Sequence, residues 1–270
     1  MNTGFDPTLL SRIEDAGINA SAPPQQRWVD GWLVRFSPGK AKRARCINPV
    51  ASGRMPVEQK LGICERLYDS VGLELLVRVT PFSQPEGIDA ELARLGFAAH
   101  EETCVMVATT VAGRPARTLP RGHRIEPLSH RSLAETVGLF RGTALAGREA
   151  HAERLQESPV PFSAFAVLDR NGGAVACGQY AVEAELVGLY DVFTSPASRS
   201  LGLATALCEH LLAESAARGG ETAYLQVEGT NIAARRIYER LGFEVAYTYH
   251  YRIRPSHAAG IASRGGRLPG

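Results

Sequence analysis

The sequence predicts an α/β (α+β) fold built as two copies of one unit, each a mixed central sheet flanked by helices, with the C-terminal copy complete. Three observations lead there. Short apolar runs of strand length alternate with stretches of helical period. The chain also repeats itself. Ile63-Cys64-Glu65-Arg66-Leu67 resembles Leu207-Cys208-Glu209-His210-Leu211 at an offset of 144. Ala93-Arg94-Leu95-Gly96-Phe97 resembles Glu239-Arg240-Leu241-Gly242-Phe243 at an offset of 146. Finally, the apolar strand 187–194 turns at Ser195-Pro196 into the small-residue loop Arg199-Ser200-Leu201-Gly202, which opens a helix at Leu203-Ala204-Thr205.

Taken in order, the first copy starts with a helix over 7–16. Segments 28–36 and 42–48 read as a hairpin around Ser37-Pro38-Gly39. A helix follows over 57–70, then an apolar strand over 75–79, a helix over 88–95 and a strand over 103–108. The second copy has a strand at 124–127 and helices at 132–139 and 150–156. Its hairpin 165–169/174–183 turns on Asn171-Gly172-Gly173. The central strand 187–194 leads to helix 203–218, which carries Leu203, Leu207, Leu211 and Leu212 on one face. Strand 223–227, helix 231–241 and strand 247–253 complete the copy. Trp28 and Trp32, four apart and so on one side of a strand, are expected as buried contacts between the copies. The basic run Lys40-Ala-Lys42-Arg43-Ala-Arg45 could hold an anionic substrate or partner but is expected first as a solvated hairpin edge, and Arg35 is expected to face the cleft between the copies.

Composition bounds the function. The chain has 270 residues, 44% of them hydrophobic and 21% charged, enough for a real core. Domains are expected at 1–112 and 122–255, joined by a Pro/Gly-containing linker over 109–122, with 256–270 a flexible tail. A net charge of +2 implies no general attraction to nucleic acid. No apolar run reaches the ~18 residues of a membrane span, and MNTGFDPTLL has no features of a signal peptide, so a cytoplasmic protein is expected. The five cysteines are odd in number and none is closely paired, as for reduced core thiols. The seven histidines show no metal-ligand spacing, and no metal is expected.

The loop 199–202 offers a way to hold a pyrophosphate. The first N–H groups of a helix lack partners inside it, and the helix dipole adds positive potential there. Gly202 lets the backbone approach an anion where a β-carbon would obstruct it. The spacing Arg199-x-x-Gly202-x-Ala204 after an apolar strand resembles the coenzyme A loop of the GNAT superfamily of N-acetyltransferases. The run from Asn231 through Tyr238 to Gly242-Phe243 resembles that superfamily's second signature. The likeness spans about residues 122–254.

That resemblance implies acetyl-CoA as co-substrate and direct acetyl transfer to an amine of a small molecule or a protein, by a monomer or homodimer. It places Val192, Phe193 and Thr194 along the pantetheine arm. Arg199, Ser200, Leu201, Gly202, Leu203, Ala204 and Thr205 lie at the pyrophosphate, with Asn231 and Tyr238 also on the cofactor. Tyr238 is expected to protonate the leaving sulfur. Asn231 serves equally as an ordinary helix N-cap. Such chemistry also needs a neutral amine, and deprotonating a lysine-like amine at pH 7 costs roughly 4–5 kcal/mol. In some relatives a glutamate lies five residues before the asparagine. Here that position is Gln226, which cannot act as a base. Glu228, Asp191 and Glu185 are the candidate carboxylates, in that order, beside a water route. The first copy lacks the loop: Glu58 is expected at the place of Gly202 and Leu92 at that of Tyr238, which leaves it unable to bind coenzyme A. A non-catalytic acyl-CoA-binding or sensing protein would keep the loop without the chemistry.

Overall fold

The structure is a computed structural model that describes residues 4–37, 41–111 and 118–254. Lys40, the Ser37-Pro38-Gly39 turn beyond Ser37, residues 112–117 of the linker and the tail 256–270 lie outside the described residues.

Helix α1 (Pro7–Ala20) is started by Asp6, which accepts from the Leu9 N–H at 3.1 Å, and by Pro7 in the first turn. It runs past the expected end at 16 because Gly17 is a packing glycine. A β-carbon there would lie 2.8 Å from Gln226 Nε2. Strands β1 (Gln26–Val29) and β2 (Trp32–Arg35) form a tight hairpin on Asp30-Gly31, both at positive φ, and β2 then pairs with β3 (Ile47–Pro49). The expected pairing of 28–36 with 42–48 holds for β2 and β3, and Arg35 N donates to the Cys46 carbonyl and Ser37 N to the Ala44 carbonyl, both at 3.2 Å; what differs is the additional turn at Asp30-Gly31, which splits β1 from β2. The tryptophan pair is corrected: Trp28 and Trp32 stand on opposite arms of the hairpin, Trp28 62% exposed and Trp32 fully buried.

The first half continues with α2 (Val57–Ser70), β4 (Leu76–Val79), α3 (Ile88–Arg94) and β5 (Ala98–Ala108). The second half holds β6 (Arg124–Leu128), α4 (His130–Phe140), α5 (Leu145–Gln156), β7 (Phe162–Leu168), β8 (Ala174–Glu183), β9 (Leu186–Thr194), α6 (Leu203–Ala216), β10 (Thr222–Glu228), α7 (Ile232–Arg240) and β11 (Glu244–Ile253). Helices α2 and α6 have 14 residues each and lie 146 apart, as do the starts of β4 and β10 and of β5 and β11. The offset of 146 thus holds through the helices. Gly202 corresponds to Pro56 and not to Glu58.

All eleven strands join one sheet, in the order β1-β2-β3-β4-β11-β5-β10-β9-β8-β7-β6. The last strand of each half is inserted into the other half. β5 pairs antiparallel with β10 on one side and with β11 on the other, while β11 pairs with β4. The division at 112–122 follows the sequence repeat, and the sheet crosses it. Val105, Met106 and Val107 of β5 are at most 1% exposed, and burying each such side chain stabilises by roughly 1.5–3 kcal/mol. Alternation along β5 sends Cys104 and Met106 to the cluster under α6 and α7, and Val105 and Val107 to the one under α1. Helices α2 and α3 cover the first-half strands through Val77 and Val79, and α4 covers β7 and β8. A buried tie locks the halves: Glu14 of α1 pairs with Arg78 of β4 and accepts from Tyr247 Oη of β11 at 2.8 Å. Arg35 is buried and donates to the Ile18 carbonyl at 2.8 Å, so it anchors α1.

Candidate active site

β9 and β10 run parallel only from Leu186/Thr222 to Leu189/Leu225. Beyond that point they part, and Tyr190 to Thr194 have no ladder partner on the β10 side. On the other side a bulge interrupts the pairing with β8. Tyr190 faces Gln179 and Phe193 faces Cys177, which leaves Gly178 opposite both Asp191 and Val192, with Asp191 at φ 50°. A cleft of about 670 Å³ opens in this wedge. It brings together Asp191, Val192 and Phe193 of β9, Gln226 and Glu228 of β10, and Asn231 and Tyr238 at α7. Arg141, His151 and Arg154 close it from α4–α5. Lys42, Arg43, Glu101 and Thr103 close it from the first half.

Lys42 and Arg43 of the basic run thus line the wall of the cleft rather than a solvated edge. Lys42–Ala44 forms a 3-10 turn. Lys42 pairs with Glu101, and Arg43 NH1 donates to Gln226 Oε1 at 2.7 Å. Tyr249 Oη donates to the same oxygen at 2.9 Å.

The loop 199–202 lies beyond the C-terminal end of β9 and outside the cleft's lining. Ser200 (φ 63°) and Gly202 (φ 75°) are both left-handed. A β-carbon at 202 would meet no heavy atom within 4 Å, so the glycine answers to its φ and leaves open space beside the backbone. The first helical bond of α6 runs from Ala206 N to Gly202 O at 3.1 Å, and no side chain caps the helix. The N–H groups of Leu203, Ala204 and Thr205 therefore have no acceptor within α6. Helices α1, α4 and α7 are capped, by Asp6, Ser129 and Asn231. Arg199 is exposed, its guanidinium 6.0 Å from the Phe193 ring, and Leu201 is half exposed. An uncapped helix start behind a left-handed glycine, followed by an unpaired strand edge, fits a diphosphate with an extended arm. Thr194 closes β9, its Oγ1 buried without a hydrogen-bond partner among the described residues.

Asn231 caps α7, its Oδ1 accepting from Ala234 N at 3.2 Å. Tyr238 is 8% exposed and packs edge-on against Phe243, and burial pushes its phenol well above the usual range. Glu228 is exposed at the end of β10, with Thr230 Oγ1 donating to it at 3.0 Å. Asp191 is enclosed: Gln179 Nε2 donates to Oδ2 at 2.8 Å, His151 Nε2 lies 3.1 Å from the same oxygen, and Arg141 NH1 lies 3.3 Å from Oδ1. Burial alone would raise this carboxyl. His151, Arg141 and Arg154 outweigh burial and hold it well below the usual carboxylate range. Glu185 is corrected out of the site. It sits in the β8–β9 turn, at the far end of β9 from the cleft, and pairs with Arg12 at 2.5 Å.

His151 and Arg141 are not singled out by the sequence, whereas Arg43 is, as part of a basic run expected at a solvated edge. α5 buries only Leu155 among its residues, so it has no apolar period that would set its polar residues apart as pointing anywhere in particular. The one available signal was His151 and Arg154 three apart on a helix with so little to bury.

The family described as "Probable histone acetyltransferase Rv0428c C-terminal" matches residues 10–252. The "Uncharacterized N-acetyltransferase YobR" of Bacillus subtilis (strain 168) is 24% identical over 231 residues, 85% of this chain and 92% of that protein. The ribosomal protein bS18-alanine N-acetyltransferase of Escherichia coli (strain K12) is 37% identical over 79 residues, 29% of this chain and 53% of that enzyme. Among solved structures, a GCN5-related N-acetyltransferase from Kribbella flavida superposes with a TM-score of 0.67 at 16% identity, over 93% of this chain and 97% of that one. A tandem GNAT protein from the clavulanic acid biosynthesis pathway gives 0.57 at 13% identity, over 74% and 70%. At these identities the two superpositions bear on the fold alone.

Proposed function

The chain belongs to the Rv0428c C-terminal acetyltransferase family and is an N-acetyltransferase of the GNAT superfamily, and on that premise we propose that it uses acetyl-CoA and transfers the acetyl group directly to an amine of a small molecule or a protein. The observation that supports this reading is the uncapped start of α6 at Gly202, which follows the unpaired edge of β9, whose residues 191–193 line the cleft that holds Tyr238. When bound, acetyl-CoA supplies the thioester carbonyl and a leaving thiolate. The N–H groups at 203–205 hold the diphosphate, with Arg199 adding charge and Ser200 and Leu201 shaping the loop. Val192, Phe193 and Thr194 present backbone groups to the arm as a neighbouring strand would. Asn231 fixes the first turn of α7 beside it.

Tyr238 gives its proton to the sulfur. Burial keeps the phenol protonated through the working pH range, so the donor is always loaded. Burial equally disfavours a free tyrosinate, so the proton moves as the C–S bond breaks and not before. Glu228, solvated at the mouth, screens an incoming ammonium. The first half walls the acceptor side through Lys42 and Arg43.

The test is thiol release from acetyl-CoA with a panel of glycinamide, spermidine, Nα-acetyl-lysine and a peptide with a free N-terminus. Tyr238→Phe should lower kcat by roughly 10²–10⁴ with little change in acetyl-CoA affinity. Equal turnover in the variant would move proton donation elsewhere. Tight binding of acetyl-CoA with no turnover of any amine would make the chain an acyl-CoA-binding protein instead.

A further inference from the structure

Asp191 is the most heavily compensated carboxylate in the cleft, and its compensation is lopsided. Gln179 is fully buried and spends its amide N–H on Oδ2. Arg141 meets Oδ1 from the end of α4, and Arg154 of α5 adds charge from further off. The third direct partner is an imidazole. His151 Nε2 lies 3.1 Å from Oδ2, and the side chain is 18% exposed on a cleft it helps to line. Nε2 is buried and faces Asp191 across an ion-pair contact, without an aligned hydrogen bond among the described residues. A carboxylate held ionised so far below its usual range is a poor proton acceptor, because a base works best with a pKa near the operating pH. It is well suited to orient an imidazole: a proton on Nε2 turned to Asp191 leaves the lone pair on Nδ1. Asp191 and Val192 share the bulge, so the dyad adjoins the unpaired strand edge to which the thioester arm is assigned.

We propose that His151, oriented by Asp191, is the group that takes the proton from the acceptor amine, with Asp191 a positioning residue; this rests on the acetyl-transfer reading above. The amine nitrogen forms the C–N bond to the thioester carbonyl carbon and loses its proton to His151 Nδ1. The C–S bond breaks, its electron pair leaves on sulfur, and the sulfur takes the Tyr238 proton. The imidazolium proton then returns to the tyrosinate through solvent, so amine and thioester become amide and thiol with both residues restored. The other ionisable groups around the dyad include Arg141, Arg154, Arg43, Tyr190 of β9 and Cys177 of β8. Cys177 has its thiol pushed up to about 12 by burial and then by Asp191. Each keeps one charge state across the pH range in which a histidine titrates.

The experiment uses the full chain, acetyl-CoA and the panel amine that the wild type acetylates fastest. His151→Gln and His151→Ala should each lower kcat/KM by roughly 10²–10⁴ while calorimetry shows acetyl-CoA affinity unchanged. Free imidazole should restore part of the His151→Ala rate in a saturable way. The acid limb of the pH–rate profile should vanish in His151→Gln and move to lower pH in Asp191→Asn. Independently of turnover, long-range ¹H–¹⁵N correlation spectra of the wild type should show His151 as the Nε2–H tautomer. A rate within about threefold of wild type in His151→Gln, a loss that imidazole does not rescue with the acid limb intact, or an Nδ1–H tautomer would each overturn the assignment. Failure of the wild type to acetylate any amine would sink the parent reading instead, and that outcome is read before any variant is made.

Discussion

Two loops lie 146 residues apart, each leading into a 14-residue helix, and they meet their backbone N–H groups differently. Before α6, the groups at 203–205 have no side-chain cap, and the space beside Gly202, itself in the left-handed region, is open. Before α2, the chain fills the equivalent place with its own carboxylate. Asp30 Oδ2, reached through the tight β1–β2 turn, accepts from Arg54 N at 2.8 Å and Met55 N at 2.7 Å, the positions matching Ser200 and Leu201. Lys60, with no exposed surface, brings Nζ to 3.2 Å from the same oxygen, donates to the Asp30 carbonyl at 2.8 Å and lies over the Trp32 ring. Gly53 is forced by this arrangement, since a β-carbon there would collide with the Asp30 backbone. Pro56 stands where Gly202 stands and has no N–H to offer. Glu58 takes no part in it. It is exposed and pairs with Arg94 at 2.7 Å. An anion site thus depends as much on what stays away from the helix start as on the loop itself. The first copy is built around an internal anion, the second around one that must come from outside.

Cutting the two copies apart should have the largest effect. A chain of residues 121–255 lacks β5, which stands between β10 and β11, and so loses a central strand with both of its neighbours' ladders. It should fail to give a folded, soluble monomer by circular dichroism and gel filtration. A folded, active fragment would mean that β5 can be dispensed with, and the exchange of strands would lose its role.

A smaller effect is expected at the internal anion. Asp30→Asn should lower Tm by a few degrees at neutral pH. The Met55 N–H, then Arg54 and Lys60 hold the Asp30 carboxyl below its usual range against desolvation. A lowered native value contributes stability that is fully present above the unfolded value of about 3.9 and lost as pH falls through the native one. The Tm gap between wild type and variant should therefore close below about pH 4. A gap that persists unchanged into acid would assign the effect to the turn and not to the charge.

Much of this was legible in the residues. Helix 57–70 is read to the residue because Pro56 marks its start and its apolar period is clean, and the 199–204 spacing points at the open loop directly. The Asp30-Gly31 turn was equally legible and was lost because 28–36 reads as one continuous strand, whereas β1 and β2 divide there. Strand exchange was not. Both β5 and β11 are apolar along most of their length, and such a strand pairs as well with one half as with the other, so its neighbour is chosen by the whole sheet. The cleft wall was also hidden. Arg43, Arg141 and His151 owe their places to the meeting of three distant segments, and polar residues facing a cavity follow no period of their own.

The most direct measurement is calorimetric titration of the full chain with acetyl-CoA, beside Gly202→Glu. The β-carbon itself meets no clash, and holding a non-glycine residue at φ 75° costs roughly 1–2 kcal/mol, so the fold should stand with a lower Tm while a carboxylate occupies the open loop. One molecule should bind per chain in the wild type and none in Gly202→Glu with circular dichroism unchanged. Two molecules per chain, or an unaltered affinity in the variant, would contradict the division between an open loop and a filled one.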